Sequence, residues 1–353
     1  MGDAGVEPSA ARLGFNKACE LEDFSHPDLR PLIADLCDYK REVFQPGFPA
    51  GAEHRKDWEV AMAVRSLRKF GAVRPDATVL GVAAGAEDTV FHLTQYVARV
   101  FATDIYLNPG PWQPLAPLAM LIEPAEFAPG GLDVNRLVVQ HMDGRCLRYP
   151  DDSFDGIFSS GSIEHFGTLA DVAASAHEMG RVLKPGGVLA LSTELCISGP
   201  PGGRGWSDDT LLFSIEDLHR YIVEASGLEM VDELSISASA ETMATTQNLG
   251  QALHDHLAQV GAQLGRPGPT TWTAWRFPYI VLEEAEYVFR SVHLTLRKTD
   301  DYPLVPNEWA KPTAALVESI TAANKFLLDR AGAAVADAAT AAARQAAEAR
   351  HTL

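Results

Sequence analysis

Residues 151–192 read DDSFDGIFSSGSIEHFGTLADVAASAHEMGRVLKPGGVLALS and decide the fold class of this 353-residue chain. A short apolar strand is predicted over 154–159, after a turn-like acidic stretch. A helix follows over 169–183 and stops at 184–187, where a proline and two glycines interrupt it. Residues 188–192 predict a second strand. The order strand, helix, strand predicts two parallel strands joined by a helical crossover.

A second unit of the same kind lies upstream. Residues 78–82 predict a strand, and the small-residue loop 83–86 leads into a helix over about 87–98. Residues 99–103 predict the next strand, which ends at Asp104. Repeated alternation of strand and helix predicts an α/β protein with a doubly wound, mostly parallel sheet.

The remaining elements complete a sheet of seven strands. Proline-rich residues 107–131 predict an irregular excursion with a short helix near 115–122. Another helix is predicted over 57–70, and Ser214 caps a further one over about 215–226. The predicted strands are 78–82, 99–103, 136–141, 154–159, 188–192, a weaker 230–235, and 288–297.

The chain divides into three predicted regions. Residues 1–57 form an N-terminal segment and a candidate substrate lid, and 58–300 form the main domain. An insertion at about 240–285 carries a helix near 251–264 and an aromatic-rich stretch. Residues 301–353 are an extension whose alanine-rich tail has helical propensity but little to bury.

Composition excludes several function classes. Asp and Glu number 47 against 29 Lys and Arg, a net charge of −18 that disfavours a nucleic-acid-binding face. The four cysteines lack CxxC spacing, and no residue spacing indicates a metal site. The sequence has no secretory signal and no apolar run near the ~20 residues that span a bilayer. We therefore expect a cytoplasmic protein with a small-molecule partner, no membrane and no nucleic acid, and the sequence leaves a homo-oligomer open.

Five segments, in one order, resemble class I S-adenosylmethionine-dependent methyltransferases over roughly residues 57–235. They are VLGVAAGAE (79–87), Asp104, Asp143, DDSFDGIFSSGSIEHFG (151–167) and RVLKPGG (181–187). The last two are the most specific, and they resemble the small-molecule, type 11-like group. The resemblance implies a Rossmann-like methyltransferase fold with S-adenosylmethionine as cofactor, bound at the carboxyl ends of the strands.

The resemblance also implies roles for particular residues. Small residues after the first strand let the backbone approach the cofactor closely. Asp104 would accept hydrogen bonds from the ribose hydroxyls, and Asp143 would bond the adenine amino group. The expected cofactor-binding residues are Gly81, Ala83, Gly85, Glu87, Asp104, Ile105, Asp143, Gly144 and Ser160. Each assignment has a simpler alternative. Asp104 could merely end a strand, residues 143–144 could form an Asp-Gly turn, and Ser160 could belong to an ordinary small-residue loop.

The first motif departs from the family pattern hhDhGxGxG. That pattern would place Asp at position 81 and Gly at positions 83 and 87, where this chain has Gly81, Ala83 and Glu87. One hypothesis is that Glu87 bonds the methionyl ammonium in place of the missing acid. The alternative is that Glu87 only favours the helix N-terminus electrostatically.

His165 is the candidate catalytic residue. It follows the strand at 154–159, near where the family's transferred methyl group points. A hydroxyl acceptor needs a base, and an imidazole suits neutral pH. Glu164 is one acid that could orient the ring. The alternative is that His165 packs against or caps the following helix.

Methyl transfer to oxygen or nitrogen of a small molecule is the function predicted, in a natural-product tailoring role by family analogy. One rival is a catalytically inactive cofactor-binding or scaffold protein of the same fold. The other is an NAD-type oxidoreductase, although residues 81–86 (GVAAGA) do not supply G-x-G-x-x-G.

Trp206 is a candidate lid residue. The favoured role for the aromatic residues Trp272, Trp275, Phe277 and Tyr279 is the core of the insertion.

Overall fold

The computed structural model describes seven stretches of the chain. They are residues 13–42, 48–51, 53–108, 115–128, 132–200, 210–251 and 279–303, with four single positions beyond them at 321, 325, 329 and 332. Of the helix predicted near 251–264 only the first residue is described, and it is helical; Trp206, Trp272, Trp275 and Phe277 lie outside the described residues.

One mixed sheet forms the centre of the molecule. Within the described residues its strands are β1 Lys17–Ala18, β2 Thr78–Val82, β3 Arg99–Asp104, β4 Leu137–His141, β5 Phe154–Ser160, β6 Leu183–Ser198, β7 Glu229–Met230, β8 Gln247–Asn248, β9 Val281–Glu284 and β10 Tyr287–Arg297. Their order is β4-β3-β2-β5-β6-β10-β9-β8, while β1 and β7 pair with β10. From β4 to β6 the strands are parallel, and β10 runs antiparallel to β6.

The strand order reverses between β2 and β5. The chain runs outward from β2 through β3 to β4, then returns to the other side of β2 and continues through β5 to β6. In register, Gly81 of β2 lies opposite Ala102 of β3 on one side and Phe158 of β5 on the other. The crevice of an open α/β sheet lies at such a reversal, at the carboxyl ends of the strands.

Helices cover both faces of the sheet. They are α1 Arg30–Leu36, α2 Arg55–Lys69, α3 Asp88–Leu93, α4 Leu169–Val182, α5 Ile215–Leu218, which continues as a π-helix over His219–Glu224, and α6 Ala240–Met243. Thr168 caps α4 and Ser214 caps α5, each through a capping box with the acid three residues later. The α2 helix packs against β5, β6 and α1, so its residues 57–67 are all buried.

Alternate residues of the strands feed two cores. Leu80 and Ile157 point to one face, where they pack with Met179 of α4. Val79 and Phe158 point to the other face, with Leu67 of α2. This period of two is the pattern expected of parallel strands covered on both sides.

The predicted fold class and the principal strands are confirmed, with differences in extent. The sheet gains short strands at its antiparallel edge, including β1 from the N-terminal segment, so it exceeds the seven predicted. The helix predicted over 87–98 ends at Leu93, because the Thr94 hydroxyl donates to the Phe91 carbonyl (2.6 Å) and turns the chain. The strand predicted over 230–235 is only Glu229–Met230, and the helix near 115–122 is a 3₁₀ turn over Leu118–Leu121.

Two predictions about the flanking regions can be compared with the described part of the chain. Tyr279 is buried with Leu212, Leu282 and Phe289, which agrees with a core role for that aromatic residue. The domain boundaries and the lid role of residues 1–57 stay predictions. No helix among the described residues is long and apolar enough to cross a membrane.

Candidate active site

The loop after β2 is a tight turn of small residues, so its backbone groups are not covered by side chains of the loop. Ala83 and Gly85 both have left-handed conformations, with φ of 50° and 46°. A Cβ on Gly85 would overlap the carbonyl of Leu115, and the Ala86 N–H donates to that same carbonyl (3.0 Å). Leu115, within the proline-rich excursion, therefore holds the loop in place from outside.

Gly81 is required by packing. A Cβ built on it would lie 2.6 Å from the Phe158 ring and 2.7 Å from the Ala84 methyl group. The Thr103 hydroxyl donates to the Gly81 carbonyl (2.8 Å) from the neighbouring strand. The space that the family pattern gives to an aspartate is thus filled by an aromatic ring.

Asp104 holds the loop and still has capacity for a ligand. Its carboxylate accepts the Gly85 N–H (2.9 Å) and the N–H of the exposed Ile105 (2.6 Å). An ionised carboxylate has about four acceptor positions, so about two stay available for a diol. Burial raises its pKa to about 6. Tyr106, which the sequence analysis missed, donates to the Gly85 carbonyl (2.8 Å) and fixes the loop from below.

Glu87 and Ser160 come together across the gap between β2 and β5. The Ser160 hydroxyl lies 3.3 Å from Oε1 of Glu87 and donates to it. Glu87 is the N-cap residue of α3, but its side chain makes no capping hydrogen bond. Burial raises the pKa of this carboxyl to about 8. A cation beside it would favour the ionised form, so the position fits an ammonium group.

Asp143 and Gly144 lie next to Asp104, since the Met142 N–H donates to the Asp104 carbonyl (2.9 Å). The Asp143 carboxylate is already paired with the Arg145 guanidinium at 2.7 Å. A Cβ on Gly144 would lie 2.8 Å from the Phe166 ring. The absence of a side chain at Gly144 therefore leaves room for the Phe166 ring. Arg145 is a counterion of Asp143 that the sequence did not predict.

His165 lies in a 3₁₀ turn, Ile163–His165, after β5. Its Nδ1 is 3.3 Å from the Thr210 hydroxyl, and its Nε2 is 3.9 Å from Oε1 of Glu164. Glu164 is buried and accepts a hydrogen bond from the Thr193 hydroxyl (2.8 Å). Burial raises the pKa of the Glu164 carboxyl. The ring is therefore held between a hydroxyl and an acid.

The start of α2 adds a charged group that sequence reasoning missed. Lys56 pairs with Oε2 of Glu59 at 2.9 Å, and Arg55 bridges Glu59 and Glu194. Burial raises the pKa of Glu194, but Arg55 and Lys56 outweigh it and hold this pKa below its usual range. Only the fold reveals this group, because Arg55 and Lys56 lie more than twenty positions before β2 and belong to a helix that resembles an ordinary buried one.

The residues brought together suit one kind of ligand. The ends of β2, β3 and β5 supply a turn of small residues, a partly buried acid on each side of it, and a hydroxyl. The Ser162 hydroxyl joins two of these segments by donating to the Ala83 carbonyl (2.9 Å). Such a crevice can hold a ribose diol at Asp104 and a cationic group at Glu87.

The central part of the chain is similar to known proteins. Residues 80–191 match the family model described as a methyltransferase domain, a span that contains every predicted site residue. The chain is similar to the [4+2]-cyclase SpnF, with 18% identity, 82% of this chain and 99% of that chain covered, and a TM-score of 0.44. It is similar to a SAM-dependent methyltransferase from Aquifex aeolicus, with 16% identity, coverage of 66% and 89%, and a TM-score of 0.35. It is also similar to phospholethanolamine N-methyltransferase 2 of Haemonchus contortus in complex with S-adenosylhomocysteine, with 15% identity, coverage of 67% and 52%, and a TM-score of 0.43.

Proposed function

We propose that this class I S-adenosylmethionine-dependent methyltransferase transfers the cofactor's methyl group to an oxygen or nitrogen atom of a small-molecule acceptor. The observation that supports it most is the pairing of Glu87 with Ser160 beside the Asp104-bound loop. The cofactor supplies an electrophilic methyl on a sulfonium. The chain's own residues then need to bind it, exclude water and remove one proton.

Cofactor binding is assigned to the predicted residues. Asp104 would accept the ribose hydroxyls with the acceptor positions that Gly85 and Ile105 leave available. Glu87 would accept the methionyl ammonium, with Ser160 beside it. Asp143 would bond the adenine amino group while still paired with Arg145.

His165 would accept the proton that the acceptor atom loses. The Thr210 hydroxyl and Glu164 lie on the two nitrogens of the ring, and the side chain is only partly buried. The imidazolium formed would stand against the Glu164 carboxyl group. A positioned base of this kind contributes about 10²–10⁴-fold to a reaction rate.

The acceptor side of the site would be completed by segments outside the central strands. The N-terminal segment reaches the site, because the Tyr39 hydroxyl donates to Asp88 (3.0 Å), the residue after Glu87. This contact supports a substrate-lid role for residues 1–57, and the insertion at about 240–285 would add to a dedicated pocket. A natural-product acceptor is proposed by family analogy. A cytoplasmic location is supported by the four cysteines, which are free thiols, as in a reducing compartment.

A ligand-stabilisation experiment tests the proposal. S-adenosylhomocysteine at 100 times its Kd should stabilise the protein by about 2.7 kcal/mol, seen as a rise in Tm, while NAD should leave Tm unchanged. Stabilisation by NAD alone would contradict the proposal and favour an oxidoreductase.

A second measurement distinguishes an active enzyme from a catalytically inactive protein of the same fold. The loss of the motif aspartate at Gly81, where Phe158 fills the space, is the observation that favours the inactive protein. Transfer of labelled methyl groups to a panel of alcohols and amines should give product. Tight cofactor binding with no product across the whole panel would favour the scaffold protein.

A further inference from the structure

Lys56 reaches over the point where the loops after β2 and β5 meet. Gly161, between Ser160 and Ser162, has a φ of 59°, and a Cβ built on it would overlap Nζ of Lys56. The ammonium therefore occupies the space that a side chain at position 161 would fill. It stands beside the serines that bond Glu87 and the Ala83 carbonyl.

Glu59 fixes the Lys56 ammonium in this place. Glu59 is buried, and its Oε1 accepts from Arg55 (3.2 Å) and from the Ser291 hydroxyl (2.5 Å). Its Oε2 accepts one N–H of Lys56 (2.9 Å). An ammonium has three donors, so two are available for a ligand. The Lys56 side chain is 42% exposed, so a ligand can reach it.

A negative and a positive group thus flank one loop. Ser160, which donates to Glu87, is adjacent in the chain to Gly161, which Lys56 covers. Lys56 therefore lies on the same side of the site as Glu87. Such a pair of opposite charges complements a zwitterion, an ammonium and a carboxylate on one carbon atom.

We propose that Lys56 binds the carboxylate of the cofactor's methionyl group while Glu87 takes its ammonium. The inference rests on the proposed function, because it needs the cofactor at this site. It explains why position 161 is glycine: any side chain there would displace Nζ of Lys56. It also gives the start of α2 a role in ligand binding in addition to its packing role.

A pair of ligands tests this directly by isothermal titration calorimetry. S-adenosylhomocysteine carries the carboxylate, and its decarboxylated analogue, S-adenosyl-3-thiopropylamine, does not. Lys56→Met should weaken binding of S-adenosylhomocysteine by about tenfold and leave the affinity for the decarboxylated analogue unchanged, because only the first ligand loses an ion pair. The matched control is Lys69→Met, on an exposed position at the other end of α2, which should change neither affinity.

The outcomes separate this inference from the function itself. If wild type binds S-adenosylhomocysteine and Lys56→Met weakens both ligands equally, or neither, Lys56 does not bind the carboxylate and the cofactor assignment stands. If wild type binds neither ligand, the cofactor assignment fails and this inference fails with it. Gly161→Ala offers a second route, since it should displace the ammonium and reduce the discrimination between the ligands while Lys56 is retained.

Discussion

Glu87 is a partly buried acid whose raised pKa links its ionisation to the proposed binding of a cation. Its pKa of about 8 means that the free site holds this group protonated at neutral pH. A ligand ammonium needs the ionised form, so binding must expel a proton below that pH. The free energy that it costs to ionise Glu87 in the free site is therefore offset when the ligand ammonium binds.

Binding of S-adenosylhomocysteine should tighten by about 20-fold from about pH 6 to about pH 7.5, because ionised Glu87 becomes more abundant as the pH approaches its pKa. Glu87→Gln should weaken binding severalfold and flatten this dependence, as measured by calorimetry at several pH values. Unchanged affinity in the variant would show that Glu87 only faces the helix N-terminus.

The same substitution should have the opposite effect on the free protein. When folding raises the pKa of a carboxyl group, the folded protein becomes less stable as the pH rises from the unfolded-state pKa toward the folded-state pKa. The Tm of ligand-free Glu87→Gln should therefore exceed that of wild type, with a gap that widens from about pH 5 to about pH 8. A constant gap would mean that Glu87 does not titrate in this range.

His165→Ala should lower turnover by about 10²-fold or more and leave binding of S-adenosylhomocysteine unchanged, because the ring serves the acceptor and not the cofactor. Steady-state rates with an acceptor found in the panel provide the measurement. His219→Ala, on a surface position paired with Glu224, is the control and should be silent. Near-normal turnover of His165→Ala would leave His165 a packing residue.

At the scale of elements, the loop after β2 departs from its family pattern for a packing reason. Phe158 of β5 fills the space beside Gly81, and Ala83 adopts the left-handed conformation that the pattern gives to glycine. The sequence revealed the missing aspartate. It could not reveal the ring that replaced it, because Phe158 is 77 positions away and meets Gly81 only through strand pairing.

Gly81→Asp should not restore the family's loop. The new side chain would meet Phe158 at 2.6 Å and bury a charge, which should destabilise the protein by about 2 kcal/mol or more and weaken cofactor binding. Urea unfolding of Gly81→Asp and of the smaller change Gly81→Ala would show both as destabilised, the first by more. A gain in cofactor affinity for Gly81→Asp would contradict this account.

Local patterns predicted some elements well and others poorly. The bounds of β2 match the prediction, since an apolar run there ends in small residues. The strand predicted over 230–235 is shorter in the structure because only Glu229 and Met230 pair with β10 as a strand, while Ser235 forms a single bridge with Lys17. Asp104 and Glu87 could be named from motif positions, whereas Lys56 reaches Gly161 only because α2 packs on the sheet, where Arg55 also pairs with Glu194 of β6.

At the scale of the molecule, the N-terminal segment belongs to the same folded unit as the sheet. Asn16 is fully buried and joins three distant parts of the chain. Its side-chain amide donates to Asp232 (2.7 Å), and its Oδ1 accepts the N–H of Thr295 on β10 (2.7 Å). The segment before α1 is thus tied both to the residues after β7 and to β10.

Asn16→Ala should lower the free energy of unfolding by about 2 kcal/mol, because the Thr295 N–H loses its partner in a buried position. Chemical denaturation followed by circular dichroism would measure the loss. The exposed Asn135→Ala is the matched control and should stay within about 0.5 kcal/mol of wild type. Equal stability of the two variants would mean that residues 13–18 are only loosely attached.

The carbonyl of Leu115 joins the excursion between β3 and β4 to the loop after β2. It accepts the Ala86 N–H and covers Gly85, so this residue of the excursion holds the loop in place. A displacement of Leu115 is therefore transmitted to the loop. Substitutions in the excursion that move this carbonyl should change the Kd for S-adenosylhomocysteine, measured by calorimetry, although they lie outside the loop itself.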